Sequence, residues 1–354
     1  MDVHASIPLG QQEARTRWGT HESGAAFDRK KTPYLTEQAQ EFIAQQALCV
    51  IAGLGPKNEL GGLLVMGEPG FIQTPDASTC LLQLVEGIEI SPVLQGLYQG
   101  AGKPAQLGLF FICHPTRERL CVQGTAELLP SNSSDLPFPS TLFKSTLMRL
   151  HVRQSFFHCV KYIRTRVSGL TAPVAISSEQ KWRPQDVLGC SQTYLSEAMQ
   201  AFITQQVLCF LCSVDQEGQC AVNHRGGAPG FLVTLPPDNV SPGGLVLLPD
   251  YAGNGAFEAV GNILETGKAA VVVPNYAAQL ALCISGSALI LELDELSAEL
   301  ARRCPGAERV VVLSAQRVET QSSDWSAALA YERARAESIQ AVTDPADPVT
   351  ICPV

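Results

Sequence analysis

The chain contains itself twice. The stretch EFIAQQALCVIAG beginning at Glu41 recurs as AFITQQVLCFLCS beginning at Ala201, a shift of 160 positions. At the same shift Gly67, Pro69, Gly70 and Phe71 fall on Gly227, Pro229, Gly230 and Phe231. A duplicated sequence implies two related units, because each copy carries the same apolar pattern to bury. With 354 residues, each copy is long enough for a core of its own. The expected units are 1–172 and 173–354, and the stretch 172–186, with Pro173, Pro184 and several polar residues, reads as the linker.

Each copy follows one plan. Leu35 to Gln46 and Ser196 to Gln206 read as helices that lead into short apolar strands. A turn follows in each, Pro56-Lys57-Asn58 in the first and Asp215-Gln216-Glu217-Gly218 in the second. Beyond the repeated G-x-P-G-F turn, the second copy predicts strands at 231–235, 244–248, 269–273, 280–293 and 309–318. Such spacing fits a small antiparallel barrel. Helices are predicted at 257–267 and 324–342, the latter rich in Ala, Glu and Arg and read as a surface helix. The expected class is mostly β, of α+β type.

Composition removes several function classes. Hydrophobic residues make up 45% and charged residues 17%, which is a globular balance. A net charge of −9 without a basic stretch argues against nucleic acid as the main partner. The longest apolar runs, 244–249 and 269–274, are strand-sized and too short for a membrane-spanning helix. The 12 cysteines are spread through apolar runs, and MDVHASIPLG lacks the marks of a signal peptide. A reducing, cytoplasmic setting with free thiols is therefore expected. Cys209 and Cys212 form a C-x-x-C inside an apolar strand, with no second pair at zinc spacing, and read as buried structural cysteines rather than a metal site. Hydrolase, zinc-protease, nucleotide triphosphatase and Rossmann motifs are all absent from the sequence.

Two stretches of the second copy are distinctive: NHRGGAPGF (223–231) and LPDYAGNGAFEAVGNILETGKAAVVV (248–273). They resemble a bacterial subgroup of the pyridoxamine 5′-phosphate oxidase superfamily. The first copy resembles the amino-terminal half of that subgroup through Gly67-Glu68-Pro69-Gly70-Phe71, GLFFICHPTRERLCVQG (108–124) and KYIRTR (161–166). RWGTHESG (17–24) is similar to the group's leading segment. The resemblance covers most of the chain and is more specific in the second copy. It implies two tandem FMN-binding split β-barrels with flanking helices, packed as an intramolecular pseudo-dimer. FMN would lie in a groove between the barrels, with both walls supplied by one chain.

FMN presents a phosphate dianion, a polar chain and a flat ring with a hydrogen-bonding edge. Arg225 is the candidate for the phosphate, since a guanidinium can grip two oxygens at once. Gly226 and Gly227 leave backbone N–H groups open to an anion or the ring edge. The segment Asp250-Tyr251-Ala252-Gly253-Asn254 reads as a strand end and turn, with Asn254 donating to phosphate or ribityl oxygens and Gly253 allowing a positive φ. Asn262 is a further candidate, as are Lys161, Tyr162 and Arg166 reaching across from the first copy. His224 and His158 are the histidines expected near the groove. The bland alternatives stay open: a surface ion pair for Arg225, a bulge for the glycines, solvated cations for 161–166 and a structural role for the histidines. The first copy has Val65 and Met66 where the second has Arg225 and Gly226, so its groove is expected to be empty or put to other use.

The resulting expectation is an FMN-dependent oxidoreductase acting on a small molecule, with a nicotinamide nucleotide or a reductase in trans as electron donor. Two alternatives stand beside it: a non-catalytic binder of flavin, haem or deazaflavin, and a flavin-free scaffold. Whether two such chains pair as a homodimer stays open.

Overall fold

The computed structural model describes residues 7–84, 91–99, 104–129, 146–158, 160–172, 182–189 and 191–342. The first unit contains α1 (Leu9–Arg17), α2 (His21–Asp28), α3 (Glu37–Ala44), β1 (Leu48–Leu54), β2 (Leu60–Met66), β3 (Ile72–Asp76), β4 (Thr79–Leu84), α4 (Pro92–Gln99), β5 (Ala105–Cys113), β6 (Glu118–Leu129) and β7 (Thr146–Phe157). The second contains α5 (Pro184–Val187), β8 (Ser191–Gln192), α6 (Glu197–Gln205), β9 (Leu208–Val214), β10 (Cys220–Gly226), β11 (Val233–Leu235) and β12 (Leu245–Asp250). It continues through α7 (Glu258–Thr266), β13 (Lys268–Asn275), β14 (Leu280–Glu292), α8 (Ala298–Arg302), β15 (Arg309–Ser322) and α9 (Ser326–Val342). The boundary expected between 172 and 173 opens onto residues 173–181, outside the described residues.

Local chemistry repeats with the sequence. Thr36 and Ser196 cap α3 and α6, their hydroxyls accepting from the backbone N–H groups of Ala39 and Met199 at 3.2 and 3.3 Å. In both G-x-P-G-F turns the last glycine has a positive φ, 94° at Gly70 and 89° at Gly230. The strand order is the same in both sheets. The first runs β2-β1-β5-β6-β7-β4-β3 and the second β10-β9-β13-β14-β15-β12-β11, with β8 added beside β15. Even the bulge recurs, between Gln123 and Gly124 and between Ser285 and Gly286. Each sheet is a split β-barrel, and the two are packed as an intramolecular pseudo-dimer.

Alternation along the strands divides the apolar residues into three layers. In β1, Cys49 and Ile51 face the first unit's own core, while Val50 and Ala52 face the layer between units. In β9, Cys209 and Leu211 face the second unit's core, while Phe210, Cys212 and Val214 join the shared layer. Because successive strand side chains alternate, a spacing of three puts Cys209 and Cys212 on opposite faces. That C-x-x-C therefore cannot form one site. The nine described cysteines are all free and buried. Strands buried on both faces explain the near-continuous apolar runs.

Two segments cross between units. The α1 helix lies on α7, where the Gly10 N–H donates to Glu265 Oε1 at 2.5 Å. The α9 helix lies partly on the first unit, where Arg335 donates to the Gln45 carbonyl at 3.0 Å. The helix over 324–342 is a surface helix with one face buried. Trp325, Ala328 and Leu329 belong to the shared layer, and Glu332 is buried. Among the described residues no helix is long and apolar enough to cross a membrane.

The shared layer leaves no room for some side chains. A Cβ on Gly108 would run into the Cys220 carbonyl oxygen, and one on Gly62 would meet Val272 and Cys212. The obstacle at Gly108 is backbone, which cannot swing aside. Gly108→Ala is expected to cost roughly 1–3 kcal/mol, the usual range for overpacking. Urea denaturation followed by circular dichroism and tryptophan fluorescence measures it. A single transition is expected for the wild type, because both units share one layer; two separate transitions would contradict that.

Candidate functional site

One cleft of about 930 Å³, counting its open mouth, lies where the two units meet beside β10. Its second-unit wall includes His224, Arg225 and Gly226 of β10, then Asp250, Tyr251, Gly253 and Asn254. Its first-unit wall includes Lys161 and Tyr162, together with Phe110, Arg119 and His158. Nine of the twelve residues expected from the sequence are thus brought together. The segment after β7 makes this happen by crossing into the second unit. The Tyr162 hydroxyl donates to the Ala252 carbonyl at 2.8 Å, and Arg164 Nε donates to the Gly227 carbonyl at 3.1 Å. His114 Nδ1 donates back to the Arg164 carbonyl at 3.1 Å, and Arg119 donates to the Lys161 carbonyl at 3.3 Å.

Three expected residues do not line the cleft. Arg166 is exposed away from it, and its neighbour Arg164 is the cation that ties the two units. Gly227 serves the turn, its N–H donating to the Val207 carbonyl at 2.9 Å and its α-carbon lying against the Phe231 ring. Asn262 is buried on α7, donating to Ser213 Oγ at 3.1 Å, so it pins the helix to β9. The positive φ expected at Gly253 lies instead at Gly255, 72°, with Phe257 also left-handed at 54°. A left-handed phenylalanine needs support, here from the Trp18 ring at 5.1 Å and the Arg309 guanidinium at 4.7 Å. Thr20 donates to the Gly255 carbonyl at 3.2 Å. The leading segment thus acts as a buttress for the cleft's turn.

Electrostatics fix the arginine. Asp250 lies between two guanidiniums, with Arg225 at 2.5 Å and Arg309 at 3.2 Å. Arg309 is buried and also paired with Glu308, whereas the Arg225 side chain keeps 22% of its surface exposed. Asp250 therefore orients Arg225 toward the cleft, whose wall it also lines. Asn254 Oδ1 accepts from the Ala256 N–H at 3.1 Å, which shapes the turn. His224 is buried, and neither ring nitrogen has a hydrogen-bond partner within the protein. Burial, reinforced by the charges of Arg119 and Arg225, holds its pKa well below the ordinary histidine value. Burial likewise pushes His114 down to about 4. Both are neutral imidazoles at neutral pH.

Sequence reasoning missed Arg119 and Glu258. Each contributes to the cleft from a different unit, 139 positions apart, so no local spacing could join them. The one visible signal was at Glu258, a charge inside the otherwise apolar stretch GAFEAV (255–260). The first unit has no matching cleft wall: Leu64, Val65 and Met66, aligned with His224, Arg225 and Gly226, are buried apolar residues. Gln321 further ties this strand, accepting from the Leu64 N–H at 3.0 Å and donating to the Gly62 carbonyl at 2.6 Å.

The ion triad makes a measurable distinction. Asp250→Ala leaves buried Arg309 with Glu308 as its carboxylate partner and is expected to cost about 3–5 kcal/mol, as for a broken buried pair. Arg225→Ala removes a partly exposed partner and leaves Asp250 its bond to Arg309, so it is expected to cost under about 1 kcal/mol. Equilibrium denaturation compares the two, and equal losses would contradict this division of roles.

No family model matches the chain, and no curated protein matches it. Solved structures do. A putative pyridoxamine 5′-phosphate oxidase from Lactobacillus delbrueckii is 18% identical over 36% of this chain and 98% of its own, with a TM-score of 0.28. HutZ, a haem storage protein from Vibrio cholerae, is 11% identical over 36% of this chain and 94% of its own, at 0.23. A pyridoxamine 5′-phosphate oxidase-related, FMN-binding protein from Nostoc punctiforme is 10% identical over 32% and 73%, at 0.22. Each spans about one unit of this chain. At such scores the fold rests on the repeated strand order itself, which makes the chain two tandem split β-barrels.

Proposed function

We propose that the chain binds FMN in the cleft between its units and acts as an FMN-dependent oxidoreductase on a small molecule. One observation carries the reading: Arg225 is aimed into the cleft by Asp250, beside buried polar atoms of His224 and Asn223 that lack partners. A buried polar atom without a partner is costly unless a ligand or water satisfies it. The residues fit the cofactor's chemistry. Arg225 and Lys161 offer positive charge for a phosphate dianion, Arg225 in the fork geometry such a group favours. His224 and Asn223 offer the mixed donors and acceptors that a flavin edge needs.

FMN, when bound, supplies two-electron redox chemistry that the side chains here lack. The protein's contribution is positional. His224, neutral at neutral pH, offers one N–H donor and one acceptor nitrogen without bringing a positive charge. Phe110 and Phe257 exclude water from part of the wall. The arginine favours a phosphate-bearing ligand.

Titration of the purified chain with FMN, followed by flavin fluorescence and visible absorption, tests this. The wild type is expected to retain FMN, and Arg225→Ala to weaken binding roughly tenfold to a hundredfold, the equivalent of a charge-assisted hydrogen bond of about 1.5–3 kcal/mol. Protein that takes up no FMN would sink the reading. Bound FMN that neither NADH, NADPH nor an added reductase reduces would keep the binding and remove the oxidoreductase. A Soret band would put haem in its place.

A further inference from the structure

At the floor of the cleft, three side chains from three different elements converge. Cys121 comes from β6, His158 directly follows β7, and Glu258 opens α7 of the other unit. One potential ligand atom from each, the Cys121 sulfur, a His158 ring nitrogen and a Glu258 carboxylate oxygen, lies within 4.8 Å of the other two. Cys121 Sγ and His158 Nε2 are 2.9 Å apart. Glu258 Oε1 accepts from Gln123 Nε2 at 3.0 Å, and Gln123 in turn accepts from Gln154 at 3.0 Å. Glu258 is only 6% exposed, and the Asn223 side chain is its second hydrogen-bonding neighbour. A carboxylate buried this deeply beside a thiol and an imidazole is a ligand set for a cation.

We propose that Cys121, His158 and Glu258 form a transition-metal site, suited to zinc, that joins the two units at the cleft floor. The ligand set offers one sulfur, one nitrogen and one oxygen, a mixture that a borderline cation such as Zn²⁺ accepts. A thiolate, a carboxylate and a neutral imidazole around a divalent cation sum to zero charge, which a buried floor tolerates. Two of the three, His158 and Glu258, line the cleft, so a fourth coordination position would open onto it. Three protein ligands with one open position is the arrangement of a catalytic zinc. Gln123 supplies the outer hydrogen bond that fixes a ligating carboxylate. Tetrahedral coordination sets sulfur and nitrogen ligands about 3.5 Å apart, so the Cys121–His158 pair must open by roughly 0.6 Å. His158, at the end of its strand, is the ligand placed to move. The cations that act on the cluster each have another partner: Lys31 with Asp28 at 3.0 Å, Arg119 with the Lys161 carbonyl, and Arg225 with Asp250 at 2.5 Å. This site contains none of the proposed phosphate residues and stands or falls apart from flavin binding.

The test uses the full chain, stripped with a chelator, dialysed, and titrated with Co²⁺ and then Zn²⁺. One cobalt per chain is expected, with the visible bands and near-ultraviolet thiolate charge-transfer band of tetrahedral cobalt, displaced by zinc. Because the metal would join the units, zinc should also raise the thermal midpoint. Cys121→Ser and Glu258→Gln should each lose the cobalt spectrum and the thermal shift, while Gln123→Ala should weaken affinity about 10–100-fold. Arg225→Ala should keep the metal while weakening FMN binding. A wild type that gives neither cobalt bands nor a zinc-dependent midpoint overturns the proposal, whatever the variants do. Bands that persist in Cys121→Ser assign the metal to other thiols and overturn it equally.

Discussion

The two sheets meet through strands that have no polar face to offer. Val50 and Ala52 of β1 and Phe110 and Ile112 of β5 share one layer with Phe210, Cys212 and Val214 of β9 and with Ala270 and Val272 of β13. An isolated unit would expose this whole surface to water, an apolar patch well beyond what a monomeric domain carries. The units are therefore halves of one packing problem. Close approach at Gly62 and Gly108 keeps the layer dense. The crossing of α1 onto the second unit and of α9 onto the first extends the same dependence to the chain's outer helices.

The cleft is a consequence of that layer. At its edge, the segment after β7 leaves the first unit and lies along β10 and the 249–257 turn, tied by Tyr162 and Arg164. Duplication would give two such edges, but the copies have diverged chemically. In the second unit a buried carboxylate, Asp250, holds Arg225 toward solvent. In the first, the aligned strand carries Leu64, Val65 and Met66, and Gln321 ties off its backbone. One edge thus became polar and open, the other apolar and shut. Such asymmetry is open to a tandem chain and closed to a symmetric dimer, whose two sites must change together.

How much was legible in the sequence varied with distance along the chain. The helix 257–267 was readable because its limits are set locally, Phe257 and Gly267 standing at the two ends of α7. The strands of the second copy were readable from their apolar runs and turns, although β15 runs on to Ser322, past the expected end at 318. The amphipathic pattern of α9 was weak, so its seat on the shared layer could not be read. Of the site, the β10 and 249–254 segments were found because each is a compact local motif. Arg164 was passed over for Arg166 because a non-regular segment has no periodicity to tell which side chain turns inward. Gly227 and Asn262 lie off the cleft wall because a motif marks a shape before it marks a contact: one serves the turn beside Phe231, the other the helix seat on Ser213.

By itself the sequence determined the duplication, the mostly β class and the segments that carry the unusual polar residues, since each depends on patterns within one copy. The tertiary structure decided which of those residues share a space. It set Cys209 and Cys212 on opposite faces, paired Asp250 with Arg225 at the cleft wall, and joined Cys121, His158 and Glu258 from two units. The reason is physical. A side chain's direction follows from its own strand or helix, but its neighbours are fixed only when distant apolar faces are buried against each other.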